Sequence, residues 1–309
     1  MNTYLQALPH GTTLSCRSAG EPGRPVLLFL HGFPEAAFIW DGLLTHFARP
    51  ENGGFRCVAP NLRGYEHSSS PTEVSAYRAK HLVQDITALI QIETRDSPTP
   101  GQVAGLIAHD WGGAVAWNLA ALQPALLHKL VIVNSPHPGA FCQALAHDPA
   151  QQAASAYMNF LATPEAPALL AHNDFERLWP FFTGMGHGGT HLAWLDEAMR
   201  ERFRAVWRQG LHGPCAYYAA SPLRPPTAEN PGAAAVQLPR NMLEVNVPTL
   251  VVWGMDDTAL PPSLLDGLDG YVADLRIERV PGATHWIVHE QPERVAQLLT
   301  PFLRGAAPV

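Results

Sequence analysis

Cysteine is scarce in this chain of 309 residues, with Cys16, Cys57, Cys142 and Cys215 the four present. Their wide spacing contains no paired motif of the zinc-binding or redox kind, so buried thiols in a reducing compartment are expected. Basic runs are missing too. Lys and Arg number 20 against 27 Asp and Glu, and the formal charge of -7 argues against a nucleic-acid surface or an anionic partner. Residues 1–20 lack the basic start and continuous apolar stretch of a signal peptide, and no window approaches the length of a membrane span. A cytoplasmic location without membrane attachment is the expectation. There is no internal repeat, and Ala/Pro enrichment is the main compositional bias. What is present is a globular composition, 47% hydrophobic and 15% charged, long enough for a large core or two compact units.

Short apolar runs recur at residues 26–30, 57–59, 103–108, 130–133, 249–253 and 275–280, with helix-like segments between them. This alternation predicts a mostly parallel sheet wrapped by helices. The runs end in polar or glycine-rich residues, and in such sheets ligands bind beyond the carboxyl ends of the strands. Between residues 135 and 246 the pattern disappears for too long a stretch to be a loop, and aromatic-bearing, helix-like sequence takes its place. The expected organisation is a core domain formed by residues 1–134 and 247–309, with a helical cap inserted at 135–246. Turn-rich linkers at 135–139 and 222–239 flank the insertion.

The segment Ala108, His109, Asp110, Trp111, Gly112, Gly113 joins the third apolar run to an Ala-rich helical stretch. A strand, a sharp turn with small flanking residues and then a helix form the nucleophile elbow, usually built around serine. Here the central residue is Asp110. A nucleophile at that position needs a histidine base and an orienting acid, in the chain order nucleophile, acid, histidine. Asp257 follows Gly254 at the end of one strand, with Asp256 as its rival. His285 lies in Gly282, Ala283, Thr284, His285, Trp286, ahead of a helix that Pro292 helps to start. Asn134, at the end of an earlier strand, is an amide and cannot serve as the acid. His31 and His109 are expected to brace loops.

The chain resembles α/β-hydrolases of the epoxide hydrolase group over essentially its whole length. The resemblance rests on His31 to Glu35, Arg63 to Tyr65 with Ser68 to Ser70, His109 to Gly113, Gly254 to Asp257 and Gly282 to Trp286. Ala108 replaces the commoner glycine before His109, and Glu66 with His67 replaces a glycine-containing turn. The resemblance implies an α/β-hydrolase fold and an oxyanion hole made by the backbone N–H groups of Phe33 and Trp111. It also implies two cap tyrosines that bind and protonate an epoxide oxygen, matched by Tyr157 and by Tyr218, with Tyr217 as the alternative. These four side chains would also line the substrate site.

A carboxylate nucleophile displaces at an sp³ carbon and leaves an alkyl ester on the enzyme. Water activated by His285, oriented by Asp257, would then hydrolyse the ester. The expected substrate is an apolar epoxide with water as co-substrate, without cofactor or metal, in a monomer or homodimer. Haloalkane and fluoroacetate-type dehalogenases use the same nucleophile. The first often carry Asn where this chain has Phe33, and the second carry arginines after the nucleophile, where residues 111–114 have none. A non-catalytic receptor on the same fold has no need of all three groups.

Overall fold

The structure is a computed structural model that describes residues 1–184 and 192–305. Part of the expected cap, 185–191, and the end of the expected core, 306–309, lie outside the described residues. Among the described residues the strands form one eight-stranded sheet in the order β1-β2-β4-β3-β5-β6-β7-β8. The strands are β1 (Asn2–Ala7), β2 (Thr13–Ala19), β3 (Val26–Leu30), β4 (Arg56–Pro60), β5 (Gly105–His109), β6 (Leu130–Val133), β7 (Thr249–Gly254) and β8 (Leu275–Val280). From β4 to β8 all neighbours are parallel, whereas β1 with β2 and β2 with β4 are antiparallel.

The apolar runs become the parallel strands because helices cover both faces, leaving every residue of β3, β5, β6 and β7 buried. The alternation of side chains divides the core. Leu27, Phe29 and Val131 join one cluster with Leu44, Phe47, Leu299 and Leu303. Val26, Leu28, Leu30 and Ile132 join the other with Ile86, Leu89, Val115 and Leu119. The helices concerned are α1 (Asp41–Ala48), α2 (Ala79–Glu93) and α3 (Trp111–Leu122), with α12 (Pro292–Arg304) preceded by a short α11 (Ile287–Glu290).

Two strands are additional to the sequence expectation. Both β1 and β2 face solvent on one side, so neither is a continuous apolar run; β2 alternates, burying Leu14, Cys16 and Ser18. The third predicted strand starts at Gly105 rather than Val103, which forms an isolated bridge to Leu127. Between β6 and β7 the described residues include seven helices, α4 (Pro138–His147), α5 (Pro149–Ala154), α6 (Tyr157–Leu161), α7 (Ala166–Phe175), α8 (Trp179–Gly184), α9 (Glu197–Trp207) and α10 (His212–Ala220), followed by a largely irregular stretch at 221–248. Apolar side chains on several of these, among them Met158, Leu170, Phe182 and Phe203, continue the cluster that includes Phe29 and Trp40.

Candidate active site

Asp110 occupies the turn between β5 and α3 at φ 49 and ψ -121, a conformation that strains any residue with a Cβ. The close approach behind the turn explains Gly112, where a Cβ would lie 2.5 Å from the Leu30 carbonyl oxygen and 2.6 Å from that of His31. The Asp110 carbonyl accepts from Ala114 N at 3.0 Å and from Ser135 Oγ at 2.7 Å, which holds the turn to the mouth of β6. The two carboxylate oxygens have different surroundings. Oδ1 accepts the Phe33 N–H at 2.7 Å, and Oδ2 lies 3.7 Å from His285 Nε2, longer than a hydrogen bond.

Beyond β7 and β8, Asp257 Oδ2 accepts His285 Nδ1–H at 2.8 Å and Asn134 Nδ2–H at 2.7 Å. Its Oδ1 accepts the backbone N–H groups of Ala259 at 3.0 Å and Leu260 at 2.8 Å. Four donors on one buried carboxyl suit an acceptor-only carboxylate. Asp256 is half-buried and bonds through its backbone to the Ala283 carbonyl, so Asp257 is the residue facing His285. Asn134 also ties its own strand end to the next: its amide oxygen accepts Gly254 N at 2.9 Å, joining the ends of β6 and β7. Burial lowers the His285 pKa, but the Asp257 charge and hydrogen bond, then Asp110 and Glu35, outweigh it and push it up to about 9. At neutral pH the resting site therefore pairs an imidazolium with these carboxylates.

Tyr157 opens α6 and Tyr218 lies on α10, their rings 6.1 Å apart. Together with Asp110 and Trp111 they line a cavity of about 280 Å³ whose other walls include Leu82, Val115, Phe141, Leu223 and Met242. Burial and then the charges of Asp110 and Asp257 raise the Tyr157 pKa. Burial, then Tyr157 and Asp110, raise that of Tyr218. Both hydroxyls therefore keep their protons.

The neighbouring Tyr217 turns its hydroxyl to the Arg63 carbonyl oxygen at 2.8 Å. Arg63 is itself held by two hydrogen bonds to Asp85, at 2.8 and 2.6 Å. Phe33 is buried with its ring against Phe181 and Tyr218. The Trp111 indole meets Tyr218 edge-on at 5.1 Å, and among the described residues no hydrogen bond joins the Trp111 N–H to Asp110.

Glu35 was visible in the sequence only as part of a motif. It is fully buried, accepting from His109 Nδ1 at 3.1 Å and from His289 Nε2 at 2.6 Å. Burial raises its pKa, but the hydrogen bonds from both imidazoles prevail and lower it to about 2. His109 continues to the His285 carbonyl oxygen at 2.9 Å, and His31 accepts Leu62 N at 3.0 Å, so both histidines brace loops. A lone acid beside the apolar stretch 36–40 was the available signal for Glu35. Among the described residues no group of His, Cys, Asp and Glu is arranged to hold a metal ion, and no helix is long and apolar enough to cross a membrane.

Residues 25–292 match the alpha/beta hydrolase fold family. Epoxide hydrolase 4 of Mus musculus is 31% identical, covering 97% of this chain and 79% of its own length. An AB hydrolase superfamily protein of Bacillus subtilis is 32% identical over 96% of each chain. Among solved structures, one described among novel epoxide hydrolases in metagenomes from hot environments has 33% identity, a TM-score of 0.85 and 98% coverage of both chains. The Bacillus megaterium epoxide hydrolase in complex with an inhibitor has 27% identity and a TM-score of 0.83, covering 97% of this chain and 100% of that one. The chain belongs to the α/β-hydrolase family, in its epoxide hydrolase group.

Proposed function

We propose that this protein converts an apolar epoxide to a vicinal diol through an alkyl ester on Asp110. The observation that carries this reading is the asymmetry of Asp110: one carboxylate oxygen is held by Phe33 N–H, and the other lies beside His285. The carboxyl as a whole borders a cavity that also holds two buried tyrosines. In this reading residues 135–246 are a cap supplying Tyr157 and Tyr218, over a core of residues 1–134 and 247–309. The mostly apolar walls suit an aliphatic or aromatic substituent.

Asp110 Oδ2 attacks a ring carbon, the carbon–oxygen bond breaks, and a tyrosine hydroxyl protonates the departing alkoxide. Esterification removes the Asp110 charge, one of the influences raising the His285 pKa. His285 can then release its proton to the tyrosinate and become the base. It takes a proton from water as the water oxygen bonds to the ester carbon, and the carbonyl electron pair moves onto Oδ1. Phe33 N–H, with Trp111 N–H as the second position, would bind this oxyanion. Collapse expels the diol oxygen, which takes the proton from His285, and the Asp110 carboxyl returns its proton to the imidazole.

Incubation with styrene oxide, and separately with fluoroacetate and 1-chlorobutane, tests the reaction class. Diol formation is expected; halide release without diol formation contradicts the reading.

A further inference from the structure

The loop that carries the Phe33 N–H is fastened at several points by the sheet and its neighbours. Glu35 N donates to the Gly32 carbonyl at 3.0 Å, Ala37 N to Asn61 Oδ1 at 2.7 Å, and Leu62 N to His31 Nε2 at 3.0 Å. His109 and His289 hold the Glu35 carboxylate. One further fastening comes from the helical segment between β6 and β7. Trp207, the last residue of α9 and 2% exposed, donates its indole Nε1–H to the Pro34 carbonyl oxygen at 2.7 Å.

The indole is itself fixed. Its ring packs on Phe175 at 5.4 Å, Trp179 at 4.8 Å and Phe203 at 5.6 Å. Elsewhere on α9, Arg202 pairs with Asp41 at 2.9 Å and lies 4.2 Å over the Phe38 ring. Helix α9 is thus attached at Pro34 and, a few residues further along the same stretch, at Phe38 and Asp41.

We infer that Trp207 is a positioning residue for the oxyanion donor, holding the Phe33–Pro34 segment so that the Phe33 N–H stays on Asp110 Oδ1. The consequence is unequal for the two chemical steps, and it rests on the covalent epoxide reading above. During alkylation the carboxylate loses charge, so a donor on Oδ1 binds the reactant at least as well as the transition state and gives no acceleration. During ester hydrolysis Oδ1 gains a full charge, and a donor already in place stabilises it most. Loosening the Phe33 N–H therefore slows hydrolysis selectively and makes the alkyl-enzyme accumulate. A role confined to packing would not separate the steps.

The test is Trp207→Phe, which keeps an aromatic ring and removes the indole N–H. Amide hydrogen exchange of ¹⁵N-labelled protein reads the loop without relying on turnover, and single-turnover kinetics with styrene oxide read the steps. Phe33 N–H is expected to exchange about tenfold faster, while the amides of Leu106 and Ile132 keep their protection. Hydrolysis of the alkyl-enzyme is expected to slow about tenfold and alkylation to change less than threefold. Unchanged Phe33 exchange, or equal slowing of both steps, overturns the inference. Should the phenylalanine variant not fold, Trp207→Leu, which also carries no donor, provides the same comparison. A wild-type protein that makes no diol refutes the epoxide reading by itself, while exchange at Phe33 still decides whether Trp207 holds the loop.

Discussion

Asp110 must expose a carboxylate at a sharp turn and also tolerate a backbone conformation that disfavours any Cβ. Strain of this kind costs roughly 1–3 kcal/mol. Once the carboxylate is gone, glycine should therefore suit the position better than alanine, the reverse of their order in most helices and strands. We predict that Asp110→Gly is more stable than Asp110→Ala by about 1–2 kcal/mol in urea denaturation, both variants being inactive; equal stability would remove the strain argument. The proposed mechanism gives the paired tyrosines one task, so Tyr157→Phe or Tyr218→Phe alone should slow alkylation about tenfold, and the double variant by ~10²-fold or more in single turnovers. His285 links the site to stability. Its folded pKa is raised from 6.5 to about 9, so the stabilisation is complete below about 6.5 and is lost as pH rises through about 9. Denaturation midpoints measured across that window should fall, and Asp257→Asn should flatten the fall; a flat wild-type profile would contradict the pairing.

Between elements, the site depends on bridges that single side chains make across strand ends and helices. Asn134 joins β6 to β7 and presents a donor to Asp257. Asn134→Ala leaves a buried N–H and a carboxylate oxygen short of partners, and should cost about 1–3 kcal/mol in denaturation while lowering turnover through a misplaced His285. Helix α10 is joined to the Arg63 loop by the hydroxyl of Tyr217, the residue before Tyr218. Tyr217→Phe keeps the ring but releases that bond. Its expected effect is slower alkylation with little change in ester hydrolysis, read by the same single-turnover kinetics, because the proposed mechanism uses Tyr218 in the first step.

Across the whole molecule, the parallel sheet was legible because burial on both faces leaves continuous apolar runs. The hairpin of β1 and β2 was not, because one-sided burial scatters its apolar residues among polar ones. The elbow, Asp257 and His285 were legible because a local turn and the ends of strands announce them. The Glu35 contacts and the Trp207 bond to Pro34 join residues far apart in the chain, and no local pattern marks either partner. The proposed covalent ester on Asp110 gives the cavity, the raised His285 pKa and the aromatic helices between β6 and β7 a common purpose. A single turnover of styrene oxide in ¹⁸O water, followed by mass spectrometry of the diol and of the peptide containing Asp110, tests this directly. The label should appear in Asp110 and the first diol should be unlabelled; a labelled diol with unlabelled Asp110 would mean that water attacks the epoxide itself.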